Sequence, residues 1–294
     1  MVDVRKFYEE QLAEWSDFRN RVEQLGQVAL KEFRLENSTV YTQFNPARAV
    51  STGAKLDKDT IAARKCFLCA ENRPDVQRGV ALNDRFTLLV NPFPILKEHF
   101  TIACNLHQPQ AIKDNLGDML DFARIMPNHI LFYNGPRCGA SAPDHLHFQA
   151  VAKGQLPLEK EWRKLEKREL SEWGGNKMEQ LLGMGRRCMH IESARKDAVA
   201  SLFNQTYTQY MMMEGGNVEP RLNLFAFYEE ERWHLFFFPR KEHRPKQYFA
   251  EDDTRRMVSP GAIDMAGVVV LPRESDFEAM DVAELKDIFS QVSL

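Results

Sequence analysis

The chain has 294 residues, 44% of them hydrophobic and 28% charged, and a formal net charge of −3. That is an ordinary globular composition, with apolar material for one large core or two modest ones. The near balance of 39 basic and 42 acidic residues argues against an electrostatic nucleic-acid binder and against a polybasic membrane anchor.

The opening MVDVRKFYEEQLAEW carries charges where a signal peptide needs an apolar run, and no run approaches a membrane span. Phe7, Leu12, Trp15, Phe18, Val22, Leu25 and Val28 recur at three- to five-residue steps, predicting one amphipathic helix from Val4 to about Phe33. A polar, irregular stretch is expected through about Arg64. Strands follow at 86–91 (FTLLVN) and 100–104 (FTIAC), with Pro92 and Pro94 between them where a hairpin turns. Ile112, Leu116, Met119, Leu120 and Ala123 predict a helix that Pro127 stops. Two more strands are expected at 130–133 (ILFY) and 145–151 (HLHFQAV). Residues 157–215 read as mostly helical, with a glycine-rich break around 174–185. The runs 222–228 and 233–238 read as a hairpin turning at EEER, and 266–271 (AGVVVL) as a last strand. Both hairpins lead into a basic, histidine-bearing segment, Lys97 and His99 in one and Arg240, Lys241, His243 and Arg244 in the other. The order hairpin, helix, strand thus recurs, as a degenerate internal duplication would give. The expected organisation is an N-terminal helix with a catalytic half over 1–155, a helical insert over 156–215 and a degenerate second half over 216–294.

The most informative stretch is Asn134-Gly-Pro-Arg-Cys-Gly-Ala-Ser-Ala-Pro-Asp-His-Leu-His-Phe-Gln149. His145, His147 and Gln149 fall at a spacing of two, so a strand places both imidazoles and the amide on one face. Polar groups so spaced lie roughly 6–7 Å apart, close enough to address one small anion together. The preceding Gly139, Ala140, Ser141 and Ala142 are small, which lets backbone N–H groups approach a ligand and form a phosphate nest. A neutral imidazole beside such a nest is placed to attack phosphorus and hold a nucleotidyl group covalently.

GASAPDHLHFQ resembles the active-site signature of the transferase branch of the histidine-triad superfamily. That branch includes galactose-1-phosphate uridylyltransferase, diadenosine tetraphosphate phosphorylase and GDP-L-galactose phosphorylase. The resemblance implies an α+β fold of two histidine-triad-like halves with antiparallel sheets and helical additions. It implies His147 as nucleophile and Gln149 as the residue that contacts the phosphoryl group. Gln at that place, where the hydrolase branch has a third His, implies transfer or phosphorolysis. Asn91-Pro-Phe-Pro-Ile with His99-Phe-Thr-Ile is similar to the strand pair of the superfamily's nucleoside pocket, and 259–278 is similar to the closing segment of the GDP-L-galactose phosphorylases. Asn91, Asn134, Gly139, Ala140 and Ser141 are therefore expected around the substrate. Asp144 separates Pro143 from His145, where the uridylyltransferases run Pro directly into His. That departure favours the GDP-hexose side of the group.

Cys66-Phe-Leu-Cys69 is a second constellation. A C-x-x-C knuckle lets two thiolates bind one tetrahedral Zn²⁺, with two ligands supplied from elsewhere. A redox pair would sit in a thioredoxin-like βαβ context, which is missing, and two ordinary buried thiols are the plain alternative. The odd total of five cysteines also speaks against a disulfide framework. The likeness to the uridylyltransferases implies Cys66, Cys69, His107 and His145 as structural zinc ligands, with His99 a rival to His107. Arg240 and Lys241, with Asn223 on the second hairpin, are candidates to clamp a polyphosphate or sugar phosphate.

The expected function is nucleotidyl transfer through a covalent nucleotidyl-His147. The substrate is a nucleoside diphosphate sugar, a GDP-hexose before others, and the acceptor a phosphate or sugar phosphate. Mg²⁺ enters only as a solution ion carried by substrate phosphates. The alternatives are a dinucleoside polyphosphate phosphorylase and a non-catalytic, zinc-stabilised nucleotide-binding protein. Partners are small molecules, without nucleic acid or membrane, in a cytoplasmic setting.

Overall fold

The computed structural model describes residues 3–53, 57–216 and 218–294. Its frame is a ten-stranded sheet in the order β3-β4-β5-β7-β6-β11-β12-β10-β9-β8. The first half is built from β3 (Gly79–Ala81), β4 (Phe86–Val90), β5 (Phe100–Cys104), a helix Leu116–Ile125, β6 (His129–Asn134) and β7 (His147–Ala152). The second repeats that series with β8 (Lys167–Trp173), β9 (Asn176–Leu181), β10 (Cys188–Ser193), a helix Lys196–Met213, β11 (Leu222–Glu229) and β12 (Arg232–Pro239). Antiparallel pairing of β6 with β11, Asn134 opposite Asn223 and Phe132 opposite Phe225, joins the halves at a pseudo-two-fold.

The duplication is real, but its register differs from the sequence expectation. The hairpin β11–β12 occupies the place of β6–β7, not that of β4–β5, whose counterpart is β9–β10. The stretch expected as a helical insert, 156–215, is helical at Pro157–Glu161 and Lys196–Met213 and supplies three sheet strands between them. Strand β8 departs from the helical expectation with six of its seven side chains exposed. The ladder to β9 holds it there, with little apolar burial to leave a trace in the sequence.

The expected N-terminal helix is two, Val4–Glu14 and Ser16–Leu25, and the chain then enters β1 (Ala29–Leu35). The expected irregular stretch contains β2 (Ser38–Phe44), which pairs with β1 and, in parallel, with β13 (Val268–Leu271) to form a separate three-stranded sheet. The 230–231 turn is tight, with Glu230 and Glu231 both at positive φ (50° and 59°), the geometry of a two-residue hairpin.

One face of the large sheet packs Leu131, Tyr133, Phe148, Leu235 and Phe237 against the helices 116–125 and 196–213. The opposite face packs Phe132, Phe225, Phe236 and Phe238 under residues 258–292. Alternation along β7 puts Phe148 on the helix side, and so turns His147 and Gln149 towards the C-terminal segment. Among the described residues no helix is long and apolar enough to cross a membrane.

Candidate active site

Strand β7 lies between β5 and β6, with His147 opposite Ala103 and Gln149 opposite both Thr101 and Phe132. The His147 backbone is clamped by Gln110. Its N–H donates to Gln110 Oε1 (2.8 Å), and its carbonyl accepts from Gln110 Nε2 (3.0 Å), which also reaches the Asn134 carbonyl (2.9 Å). Sequence reasoning missed Gln110, since nothing local marks a loop glutamine as a clamp. His147 Nδ1 stands 2.8 Å from the His145 carbonyl. A carbonyl only accepts, so Nδ1 bears the proton and Nε2 keeps its lone pair. No protein group hydrogen-bonds Nε2 among the described residues. Burial pushes the ring down to about 4, so it is neutral at ordinary pH.

Gln149 is held by a relay. The Ile95 N–H donates to His99 Nδ1 (3.2 Å), so His99 Nε2 carries hydrogen and donates to Gln149 Oε1 at 2.8 Å. The carboxamide oxygen is thereby occupied and the NH₂ end is left as donor. His99 is itself buried, which pushes it down to about 3 and keeps it neutral. Asn91 joins this group, its Nδ2 reaching Thr101 Oγ1 (3.3 Å) and Gln149 Oε1 (3.4 Å), while its Oδ1 accepts from the Phe93 N–H.

The loop 135–142 has steric reasons for its small residues. Gly139 sits at φ +94°, and a Cβ there would stand 2.9 Å from Gly261 Cα. Ala140 and Ala142 are buried, Ser141 half-buried. Among the described residues the N–H groups of Gly139 and Ser141 meet no protein acceptor, as an anion nest requires. Ser141 is tethered through its carbonyl to Arg64 (3.1 Å), which also pairs with Asp144 (2.9 Å).

The expected phosphate clamp is corrected. Arg240 is fully buried and spends its guanidinium on protein acceptors. Nε donates to the Val292 carbonyl, Nη1 to Asn223 Oδ1 and the Pro260 carbonyl, and Nη2 to the carbonyls of Glu242 and His243. Asn223, also buried, donates to Asn134 Oδ1 (3.0 Å) and to the Cys138 carbonyl (2.8 Å). Asn134 Oδ1 further accepts from the Ala262 N–H (2.8 Å). These three side chains form a buried strut behind the loop, leaving no donor of Arg240 for a ligand. Lys241 is exposed, and its backbone N–H closes on the Val292 carbonyl.

Cys66, Cys69, His107 and His145 converge, one ligand atom from each lying within 4.8 Å of the others. His145 Nε2 meets the Cys104 carbonyl (2.8 Å), so its Nδ1 lone pair faces Cys66 Sγ at 3.2 Å and Cys69 Sγ at 3.6 Å. His107 Nδ1 is 3.3 Å from Cys69 Sγ, and its Nε2 is 3.7 Å from Asp144. Tetrahedral zinc with bonds of about 2.0–2.3 Å sets ligand edges of roughly 3.3–3.8 Å, so the donor set fits the ion. Burial and the adjacent Cys66 push the Cys69 thiol up to about 11, and a dication at this place would draw both thiol protons off. His99 is not part of the group.

Two family models account for most of the chain. One, described as a domain of unknown function (DUF4922), matches residues 7–152, and one described as GDPGP1-like, C-terminal domain, matches residues 166–294. No curated protein matches. Among solved structures, yeast Ap4A phosphorylase Apa2 is similar with a TM-score of 0.63 at 13% identity, covering 95% of this chain and 96% of that one. The same protein in complex with Ap4A gives 0.61 at 14% identity, over 96% and 97%. The fold is that of Ap4A phosphorylase, an α+β fold of two halves with antiparallel sheets as the resemblance implies. In this chain the two halves share one sheet, and the His-x-His-x-Gln strand of the first half faces the closing segment of the second. The match at such low identity is one of architecture.

Proposed function

We propose that the protein is a nucleotidyltransferase of the phosphorylase type that works through a covalent nucleotidyl-His147. The observation that carries this reading is the His147 ring itself, proton fixed on Nδ1 by the His145 carbonyl and Nε2 without a partner among the described residues. Nε2 attacks the α-phosphorus of a nucleoside diphosphate sugar or a dinucleoside polyphosphate. An N–P bond forms, the P–O bond to the leaving phosphate breaks, and the positive charge gained by the ring is met at Nδ1–H by the His145 carbonyl. The NH₂ of Gln149 and the N–H groups of Gly139 and Ser141 face charge building on the non-bridging oxygens. A phosphate or sugar-phosphate oxygen then attacks phosphorus, the N–P bond breaks and the ring returns to neutrality.

Among nucleoside diphosphate sugars a GDP-hexose is put first, on Asp144 between Pro143 and His145. The likeness in fold to Ap4A phosphorylase supports dinucleoside polyphosphates to the same degree. Mg²⁺ accompanies the substrate phosphates. Zinc on Cys66, Cys69, His107 and His145 is a structural ion in this reading, one that fixes the backbone two residues from the nucleophile. Elemental analysis should find about one zinc per chain from this group, lost in Cys66→Ala.

The test is labelling with α-phosphate-labelled GDP-sugar, UDP-sugar and diadenosine polyphosphate. Acid-labile, base-stable label on the wild type, abolished by His147→Ala, is the expected outcome, and the labelling substrate settles the preference. A folded wild type that takes label from none of the three sinks the reading.

A further inference from the structure

Shortly before β11, Glu219 reaches out of the second half and closes on the part of the first half that carries His147. Its Oε2 accepts the Ile112 N–H (2.6 Å), and its Oε1 accepts the Tyr133 hydroxyl (2.6 Å). Tyr133 is the penultimate residue of β6 and is fully buried on the helix side of the sheet. Glu219 therefore lies on the face opposite the His147 ring, away from any substrate. Ile112 ends the segment 108–112, a run outside helix and strand that carries Gln110. The Glu219 backbone is held as well, its carbonyl accepting from Arg137 of the 135–142 loop (2.6 Å). Burial pushes the carboxyl up to about 7, while Tyr133, the Ile112 N–H and Arg137 pull the other way. Near neutral pH the group thus exists as anion and as acid. The tyrosine hydroxyl donates to the first and accepts from the second, so both contacts survive either form.

Segment 108–112 is stitched to the approach of β7 at its upstream end. The Leu146 N–H donates to the Gln108 carbonyl (2.7 Å), and the Gln110 N–H to the Pro143 carbonyl (3.1 Å). Between those ties and Ile112 stands the Gln110 side chain, gripping both backbone groups of His147. A carboxamide keeps such a grip only where its own backbone is fixed on both sides, and Glu219 supplies the downstream fix. We propose that Glu219 is a positioning residue for His147, acting through Gln110: its carboxyl group locks segment 108–112, so that the clamp holds the His147 backbone and with it Nε2. This rests on the reading of His147 as nucleophile. Alignment of the ring then depends on docking of the second half, which brings the carboxyl group. A displacement of ~1 Å in a reacting atom is enough to slow a reaction about a hundredfold. The competing account is a plain structural tie between the halves that leaves His147 unmoved.

The test compares Glu219→Met, which keeps the volume but accepts no hydrogen bond, with Glu219→Gln, which can accept from Ile112 and donate to the Tyr133 oxygen. The first readout needs no activity. The His147 N–H donates to a side chain, so its hydrogen exchange reports the clamp directly. Glu219→Met should exchange it about tenfold faster, with Glu219→Gln at the wild-type rate and the amides of β9 and β10 protected throughout as the mark of folding. The second readout is single-turnover labelling of the full chain. Glu219→Met should be about ten- to a hundredfold slower at saturation, with half-saturation within about twofold of the wild type, and Glu219→Gln should restore the rate. Adding Gln110→Ala to Glu219→Met should cost little beyond Gln110→Ala alone. Should Glu219→Met not fold, Tyr133→Phe takes its place, deleting one of the two contacts, and should speed His147 exchange about threefold. Unchanged His147 exchange in the folded variant, or a rate loss that multiplies in full with that of Gln110→Ala, overturns the proposal. A wild type that takes no label sinks the nucleotidyl reading instead, and the exchange still decides whether Glu219 sets the clamp.

Discussion

In the proposed mechanism, replacing His99 by leucine removes the group that decides which end of Gln149 meets the substrate. Gln149 Oε1 has one strong donor, His99 Nε2 at 2.8 Å, and one marginal donor, Asn91 Nδ2 at 3.4 Å. With the first gone the carboxamide can turn over, presenting carbonyl oxygen to a phosphoryl oxygen it must repel. The Ile95 N–H also loses its acceptor, so stability should fall by ~1–3 kcal/mol for each buried group left unpaired. Loss of one oriented donor to a charged transition state should slow nucleotidylation by ~10²–10³. The assay is a rapid-quench single turnover with protein in excess over labelled substrate, run on His99→Leu, Gln149→Ala and the double variant. If His99 acts through Gln149, the double variant is scarcely slower than Gln149→Ala. A folded His99→Leu protein with the wild-type rate, or two losses that multiply in full, would refute the relay.

Arg240→Met should cost ~3 kcal/mol or more, because it strips the donors from several buried carbonyls and from Asn223. Urea unfolding checks this, and a variant as stable as the wild type would contradict the buried strut. Gly139→Ala should lose ~1–3 kcal/mol through its positive φ and the contact with Gly261, read as a lower melting temperature together with slower labelling. His99 and His243 are both pushed down to about 3 by burial, against about 6.5 for a free imidazole. The unfolded chain therefore binds more protons between those values. The contribution is complete above about 6.5 and drains away as pH falls towards 3. The urea midpoint should accordingly drop from pH 7 to pH 5, and a flat profile would contradict it.

What could be read from the sequence was whatever burial or special chemistry had written there. The alternation His145, His147, Gln149 marks the face of β7, and the C-x-x-C knuckle gathers with His107 and His145 as the likeness to the uridylyltransferases implies. Strands β4 to β7 show because their side chains are mostly buried and apolar. Strand β1, by contrast, has no more than Leu35 buried, and its Phe33 falls in step with the preceding helical stripe, so the helix reads through it. The charges of β8 carry no period. Arg240 looked like a solvent-facing clamp because a basic run after a strand usually is one, and only the tertiary fold shows carbonyls of 242, 243, 260 and 292 closing around it. The roles of Gln110 and His99 depend on partners tens of residues away, and no local pattern encodes them.

The strut from Asn134 through Asn223 and Arg240 ends on the carbonyl of Val292. The proposed nucleophile and its strand are complete in the polypeptide by residue 152, yet the bend proposed to cup the anion gains its backing only when a segment made some 140 residues later docks behind it. A ribosome-bound chain would thus carry the reactive ring long before it carried a working pocket. Activity in a nascent chain should switch on late and abruptly, as the final helix threads into place.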